Sequence, residues 1–189
     1  MSLLVENLNG DLVVRFTRPE SRNPLSVEVL QQLHCTVDSI DGSVKKLIFT
    51  GTGDVFASGA NLTEIAEVRA DGATEFALLG QTLMNKIAAL PIQAIAAVNG
   101  YCFGGALDLA LSCKQRIASP NALFAHPGVG LGIITGWGGT QRLPRSIGEA
   151  AALEVLLTAG RFSAAWAMRN GMIDAISDDP LTYAIEQSN

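Results

Sequence analysis

Two loops of small residues are the parts of this sequence best suited to chemistry. They read Phe56-Ala57-Ser58-Gly59-Ala60-Asn61-Leu62 and Val98-Asn99-Gly100-Tyr101-Cys102-Phe103-Gly104-Gly105-Ala106, and each runs from an apolar, strand-like segment into a predicted helix. Glycine and alanine let backbone N–H groups approach a ligand closely, and the start of a helix carries partial positive charge. Two such loops facing one another could hold an oxygen that becomes negative during a reaction, as an oxyanion hole does.

Asp108 is the carboxylate best placed to work beside these loops. It lies three residues after Gly105, in the first turn of the predicted helix, where side chains lean toward the helix N-terminus. Its carboxylate could carry a proton to and from a ligand, or it could complement the positive end of the helix dipole. The sequence leaves both interpretations open.

Alternating strands and helices must position these residues. Apolar runs predict strands over residues 12–16, 47–50, 92–98, 116–118 and 122–124. Helical periodicity and capping predict helices over 27–40, within 64–90 with a break near 71–72, from 105 to 112, and over 140–147, 149–159 and 163–170. The glycine-rich segment 128–139 is predicted to be a loop against the site. This alternation predicts an α/β fold of βαβ units with right-handed crossovers.

The ordered set of motifs resembles the crotonase (enoyl-CoA hydratase/isomerase) superfamily. The matching segments are Arg22-Asn23-Pro24-Leu25-Ser26, 58–62, 96–101 running into 104–106, 138–145 and 170–174. The resemblance implies a crotonase-like (ClpP/crotonase) α/β fold, with repeated ββα units around a mainly parallel sheet. Residues 1–189 are then expected to form one crotonase-like domain. The resemblance also implies an acyl-CoA substrate, with coenzyme A as part of the thioester and with no permanently bound cofactor and no metal.

The resemblance also implies roles for particular residues. The backbone N–H groups of Ala60 and Gly105 would hold the thioester carbonyl oxygen and stabilise an enolate, and Asp108 stands where typical hydratases have a glutamate acid/base. Arg22 stands where family members often place a basic residue near the CoA phosphates, with an ordinary exposed charge as the alternative. The other residues expected at the substrate site are Ala57, Ser58, Gly59, Gly104, Gly128 and Trp137.

Gly128 is the most consequential departure from the family pattern. It follows Pro127, where a hydratase has its second glutamate, and Thr135 is the one polar side chain of segment 128–139. Because hydration normally divides its work between two carboxylates, the sequence favours isomerase-like chemistry with a single base. Decarboxylation assisted by the oxyanion hole is a further option.

Two other reactive side chains have simpler interpretations. His126 could act as an acid or a base, since an unperturbed histidine titrates near neutral pH, but a lone histidine is more often a packed or surface residue. Cys102 has no histidine partner placed by the sequence, and it is expected to be a small core residue.

The chain is also shorter than is usual in the family, whose members continue as C-terminal helices that cover the site. We therefore expect a short form lacking these helices. Apolar surface near residues 153–157 would then pair with other copies, and a homo-oligomer is expected, as a trimer or a dimer of trimers. A second hypothesis is a catalytically degenerate paralogue that binds acyl-CoA or a full-length partner subunit.

Composition limits the remaining classes of function. Apolar residues make up 48% of the 189 residues and charged residues only 16%, which argues against disorder. The net charge of −5 with scattered Lys and Arg argues against nucleic-acid binding. The sequence shows no bilayer-spanning apolar run, no signal-peptide pattern and no C-x-x-C pair among its three cysteines. A cytoplasmic protein without membrane contact is therefore expected.

Overall fold

Strands and helices alternate along the chain, as the sequence predicts. The computed structural model describes residues 2–187. Its strands are Leu3–Leu8 (β1), Asp11–Phe16 (β2), Pro24–Leu25 (β3), Lys46–Thr50 (β4), Val55–Ala57 (β5), Gly59–Ala60 (β6), Gln93–Val98 (β7), Tyr101–Phe103 (β8), Gln115–Ala118 (β9), Leu123–Ala125 (β10), Phe162–Ser163 (β11) and Ala175–Ile176 (β12). Its α-helices are Val27–Asp38 (α1), Leu62–Glu67 (α2), Ala73–Ala88 (α3), Gly105–Ser112 (α4), Gly139–Ile147 (α5), Glu149–Thr158 (α6), Ala164–Arg169 (α7) and Pro180–Glu186 (α8). Two 3-10 helices, Pro19–Ser21 and Pro127–Leu131, complete the list.

The main sheet is mostly parallel. Its strand order is β1-β2-β4-β7-β9-β12, and only the β1–β2 pair is antiparallel among the described strands of this sheet. Every residue of β4 is buried, as is every residue of β7 after Gln93. Continuous burial is typical of parallel strands that are covered on both faces. The α/β architecture with a mainly parallel sheet that is expected from the sequence is confirmed.

The two faces of the main sheet are covered differently. One face supports the large core, to which α1, α3 and α4 contribute buried residues. The other face carries a small cluster that includes Ile48, Ile95 and Ala184 of α8. The buried Lys46 ammonium pairs with Asp11 at 3.1 Å and donates to the carbonyl oxygen of Ile185 at 2.8 Å, which ties the C-terminal end of α8 to the sheet.

A second, smaller sheet positions the loops. Strands β5, β8 and β10 lie side by side and parallel, with β11 antiparallel to β10 at the edge. Strands β3 and β6 pair separately and parallel. Because parallel neighbours end at the same edge of a sheet, the residues after β5, β8 and β10 are brought together.

The predicted helices agree closely with the structure. The Ser26 hydroxyl accepts a hydrogen bond from the N–H of Val29 and caps α1, and the predicted break near Asp71-Gly72 separates α2 from α3. The sequence did not predict β1, the short strands inside the two loops or α8. No helix within residues 2–187 has both the length and the apolar character needed to cross a membrane.

Candidate active site

Three parallel strands of the smaller sheet end at the same edge, and the residues that follow them lie at the candidate site. Strand β5 ends at Ala57, β8 at Phe103 and β10 at Ala125, so the residues that follow are Ser58, Gly104 and His126. The N–H of Gly104 donates to the carbonyl oxygen of Ala125 at 2.8 Å, which fixes the second loop beside the end of β10. The sheet therefore brings both small-residue loops and His126 to the same place.

The two loops are in direct backbone contact. Gly59 has a φ of +87°, which favours glycine, and a Cβ built there would lie 2.6 Å from Phe103 O and 2.7 Å from Gly105 N. A Cβ at Gly105 would lie 3.4 Å from the amide nitrogen of Ala60. Gly105 is the first residue of α4, so its N–H has no partner within the helix. This close approach brings the amides of Ala60 and Gly105 near one another.

Trp137 forms a wall behind this pair of amides. Its buried indole lies between two helices, and a Cβ at either Gly80 of α3 or Gly105 of α4 would come within 2.4 Å of it. Phe76 packs against the same ring at a centroid distance of 5.9 Å. Trp137 is therefore both a packing residue and part of the wall of the site.

Asp108 points into the site and is not an exposed charge at a helix end. Its side chain is 1% exposed, and one carboxylate oxygen, Oδ2, accepts a hydrogen bond from the Thr135 hydroxyl. The other oxygen, Oδ1, is buried and lacks a hydrogen-bond partner. Gly139 allows this packing, since a Cβ there would lie 2.2 Å from Oδ1. Asp108 is therefore a buried carboxylate that lines the cavity and has one oxygen free of protein partners.

His126 lies beside Asp108, although the sequence favours a packed or surface role for this histidine. Its ring nitrogen Nε2 is 3.4 Å from Asp108 Oδ1, and it too is buried without a hydrogen-bond partner. The distance is short enough for an ion pair, yet the geometry makes no hydrogen bond. Two unpartnered polar atoms side by side are unusual in a protein interior, where such groups are normally satisfied.

Burial shifts the pKa values of this pair in opposite directions. Burial raises the pKa of the Asp108 carboxyl from 3.8 to about 7, although the hydrogen bond from Thr135 and the charge of Arg142 oppose the shift. Burial lowers the pKa of His126 from 6.5 to about 4. Near neutral pH the histidine is therefore uncharged, and Asp108 exists both with and without its proton. Such a carboxyl can take up or release a proton at little cost.

A cavity of 420 Å³ opens in front of these groups. Seven of the ten predicted site residues line it, namely Ser58, Ala60, Gly104, Gly105, Asp108, Gly128 and Trp137. The rest of the lining is mainly apolar, but it also includes His126 and Thr135. The cavity therefore suits an apolar chain that ends at a small polar centre.

Three predicted site residues do not line this cavity. Ala57 is fully buried at the end of β5, and Gly59 packs between the two loops. Arg22 is exposed, and its carbonyl oxygen accepts a hydrogen bond from the N–H of Ser58 at 2.9 Å. Ala57 and Gly59 thus shape the first loop from behind, whereas Arg22 lies outside the cavity next to that loop.

Neither Cys102 nor a cluster of possible metal ligands forms a competing site among the residues that the structure describes. Cys102 is fully buried, and burial raises the pKa of its thiol well above the usual value, so it is a core residue as predicted. Within the part of the chain that the structure describes, no group of three or more His, Cys, Asp or Glu side chains is placed to hold a metal ion.

Known proteins resemble this chain in both sequence and fold. The family model for enoyl-CoA hydratase/isomerase matches residues 6–184. A crotonyl-CoA hydratase from Syntrophomonas wolfei subsp. wolfei is 39% identical over 178 residues, which are 93% of this chain and 68% of that protein. A short-chain-enoyl-CoA hydratase from Clostridium acetobutylicum is 36% identical, with the same coverage. The crystal structure of an enoyl-CoA hydratase from Bacillus anthracis superposes with a TM-score of 0.93 at 32% identity, covering 98% of this chain and 74% of that one.

These likenesses and the site geometry define a crotonase-type α/β protein. The chain belongs to the enoyl-CoA hydratase/isomerase family of the crotonase superfamily, and it is an enzyme of that family.

Proposed function

We propose that the cavity binds the acyl group of a coenzyme A thioester and stabilises its enolate. The thioester carbonyl oxygen accepts hydrogen bonds from the N–H groups of Ala60 and Gly105. Each such donor typically contributes about 3 kcal/mol of transition-state stabilisation. The observation that carries the proposal is the backbone contact between the two loops, because a Cβ at Gly59 would lie 2.7 Å from Gly105 N. This contact leaves no room for a side chain that would separate the two donors.

Asp108 moves the proton in this proposal. Asp108 lines the same cavity as Ala60 and Gly105, its oxygen Oδ1 has no hydrogen-bond partner, and its pKa of about 7 makes both protonation states available near neutral pH. A general acid or base at such a pKa typically accelerates a reaction by about 10² to 10⁴ fold. Loss of the α-proton places negative charge on the thioester oxygen, where the amides of Ala60 and Gly105 receive it.

Isomerisation of a double bond fits this site better than hydration. Gly128 lines the cavity where hydratases have a second glutamate, so it supplies no carboxylate. A Cβ at Gly128 would lie 2.8 Å from the carbonyl oxygen of Ile133, so a longer side chain there needs a shift of the backbone. An isomerase moves a proton from one carbon to another and adds no water to its product. We expect turnover without any added metal or organic cofactor.

Product analysis on a panel of short enoyl-CoA thioesters tests this function. The panel contains β,γ- and α,β-unsaturated substrates in deuterated water, with mass spectrometry of the products. We expect the double bond to migrate, with deuterium at carbon and no gain of a water molecule. If most substrates gained a water molecule, the proposed isomerisation would be wrong and the reaction would be hydration. Turnover that stops on treatment with a metal chelator would contradict the cofactor-free reaction.

The second candidate is a catalytically degenerate paralogue that binds acyl-CoA or a full-length partner subunit. The cavity mouth favours it, because Leu131 and Ile134 line the cavity and are 56% and 60% exposed. Apolar surface of this kind is usually covered by another chain or a ligand. Tight acyl-CoA binding without any exchange or turnover would support this candidate over the enzyme.

We also propose that copies of the chain associate. Leu153 and Leu157 on α6 are 55% and 58% exposed and lie one helical turn apart, so they form an apolar stripe. Light scattering is expected to give the mass of a trimer or a multiple of it. A monodisperse monomer would refute the association.

A further inference from the structure

We propose that His126 is a second proton-carrying group of this site, which receives the substrate proton from Asp108 at one carbon and delivers it at another. This inference rests on the proposed enolate chemistry and assigns a catalytic role to a residue outside the two loops. Its basis is the pair of unpartnered atoms, Asp108 Oδ1 and His126 Nε2, which lie 3.4 Å apart at the polar end of the cavity.

The first argument concerns the reach of Asp108. An allylic isomerase must take a proton from the α-carbon and return it to the γ-carbon, which lies two bonds away. A glutamate side chain could swing between these carbons, but aspartate is one methylene shorter. The hydrogen bond from Thr135 also holds Oδ2, and α5 packs against the carboxylate at Gly139. Asp108 is therefore held in place. A second proton-carrying atom beside it could reach the γ-carbon while Asp108 reaches the α-carbon.

The second argument concerns how tightly the structure holds the two groups together. A Cβ at Gly139 would lie 2.2 Å from Asp108 Oδ1 and 3.0 Å from His126 Nε2, so one glycine of α5 lets both groups approach. The 2.8 Å bond from Gly104 N to Ala125 O fixes the residue that precedes His126. Backbone contacts thus place the imidazole beside the carboxylate, although no hydrogen bond joins them.

The third argument concerns the charges around the pair. Asp108 and His126 are 1% and 4% exposed, so their charges would interact in a low-dielectric environment. Besides the pair itself, the nearby charged or titratable groups are Arg142, which favours the Asp108 carboxylate, and the buried thiol of Cys102. A transient imidazolium would be stabilised by the carboxylate that has just given up its proton.

The proton transfer balances without any other reactant. The Asp108 carboxylate removes the α-proton of a β,γ-enoyl thioester, and the C–H electron pair moves toward the oxygen held by Ala60 and Gly105. The proton passes from Asp108 Oδ1 to His126 Nε2, an uphill step because the pKa of His126 is about 4 and that of Asp108 about 7, and it leaves a short-lived imidazolium beside a carboxylate. His126 then gives the proton to the γ-carbon as the electron pair returns through the dienolate. The double bond has moved, and both side chains are restored.

The test compares two rates in the same reaction in deuterated water. One is incorporation of deuterium at the α-carbon, which needs Asp108 alone, and the other is migration of the double bond, which needs both groups. For His126→Gln we expect the ratio of migration to α-exchange to fall at least tenfold. His34→Gln is the matched control, because His34 is the other of the two histidines and its ring bonds to Leu79 O away from the cavity. Its ratio is expected to equal that of the wild type.

A ratio for His126→Gln within twofold of the wild type would overturn the inference and leave the proposed function intact. A wild type that exchanges no α-hydrogen in any thioester would overturn both. If His126→Gln does not fold, His126→Asn provides the same comparison.

A proton NMR titration of the His34→Gln protein tests the inference without altering the pair. We expect the remaining histidine signal to shift as Asp108 ionises, and this shift to vanish in His34→Gln/Asp108→Asn. A signal that is unaffected by Asp108 would overturn the inference.

Discussion

The two sides of the cavity are formed by different chemical groups. One side is backbone: the loops at Ser58–Ala60 and Gly104–Gly105 meet through glycine contacts and present amides. The other side, called the titratable side below, consists of the titratable groups Asp108 and His126 together with Thr135, and all three lie against the start of α5. The backbone side keeps its charge distribution at every pH, whereas the titratable side depends on burial for its chemistry. In the proposed reaction, one side holds the developing charge and the other moves the proton.

A methyl group on the backbone side should have the largest effect. Gly59→Ala places a Cβ near Phe103 O and Gly105 N, at a φ of +87°. We expect kcat for isomerisation to fall by about 10² to 10³ fold, the usual cost of losing one oxyanion donor. Steady-state kinetics measure this, with Gly53→Ala as the control, since its φ is also positive, at +63°, and nothing lies within 4 Å of its Cβ. Equal losses in both variants would attribute the effect to backbone strain alone.

A methyl group on the titratable side should act more weakly. Gly139→Ala directs a Cβ at Asp108 Oδ1, Thr135 Cγ2 and His126 Nε2. We expect a loss of about 10² fold in kcat, because the acid–base pair is displaced. Gly130→Ala, in the same glycine-rich segment with open space at its Cβ, should retain wild-type kinetics. A fully active Gly139→Ala variant would show that this packing is not needed.

The buried Asp108 of the titratable side should also lower the free energy of unfolding of the protein. The backbone side has no such cost. The pKa of Asp108 is raised to about 7, so the folded state binds this proton more tightly than the unfolded state does. Stability is therefore lost as the pH rises from about 4 to about 7, and the full cost is present above that range. Asp108→Asn should be more stable than the wild type at pH 8, by up to about 4 kcal/mol.

Urea unfolding at pH 5 and pH 8 measures this difference. His126, whose pKa is lowered, acts in the opposite direction, but it is present in both proteins. The advantage of Asp108→Asn should shrink at pH 5. An advantage that is the same at both pH values would contradict the raised pKa.

Arg22 should give the smallest effect, because it lies outside the cavity. If its exposed guanidinium binds a CoA phosphate, Arg22→Gln should raise KM for the thioester about fivefold and leave kcat unchanged, as expected for a contact of about 1 kcal/mol. Arg18→Gln in the same loop is the matched control. Equal KM changes in the two variants would show that Arg22 acts only through general surface charge and makes no specific contact with a CoA phosphate.

The difference between the two sides also explains what the sequence could predict. The loops of the backbone side are recognisable because their small residues are contiguous and follow apolar strands. Strand β7 and helices α1 and α4 were predicted for the same reason, since their signals are local. Strand β1 was not predicted because its buried and exposed residues do not alternate. Helix α8 was not predicted because it is held by a hydrogen bond from Lys46, which is distant in the sequence.

The titratable side depends on contacts that sequence spacing does not show. Asp108 and His126 are 18 positions apart, and their meeting depends on the parallel pairing of β8 with β10. One signal could have identified His126: it lies two residues after the predicted strand 122–124, just as the second loop follows an apolar strand of its own. The raised pKa of Asp108 and the lowered pKa of His126 arise from burial, which only the folded structure determines.

Hydrogen exchange at the α-carbon of a saturated short-chain acyl-CoA in deuterated water tests the central claim most directly. This substrate can form an enolate but can neither isomerise nor add water. We expect the wild type to incorporate deuterium, Asp108→Asn to lose the exchange by about 10³ fold, and both proteins to bind the thioester with similar affinity. Exchange that survives in Asp108→Asn, or thioester binding by the wild type without exchange, would contradict the claim that this carboxyl takes the proton while the backbone side holds the charge.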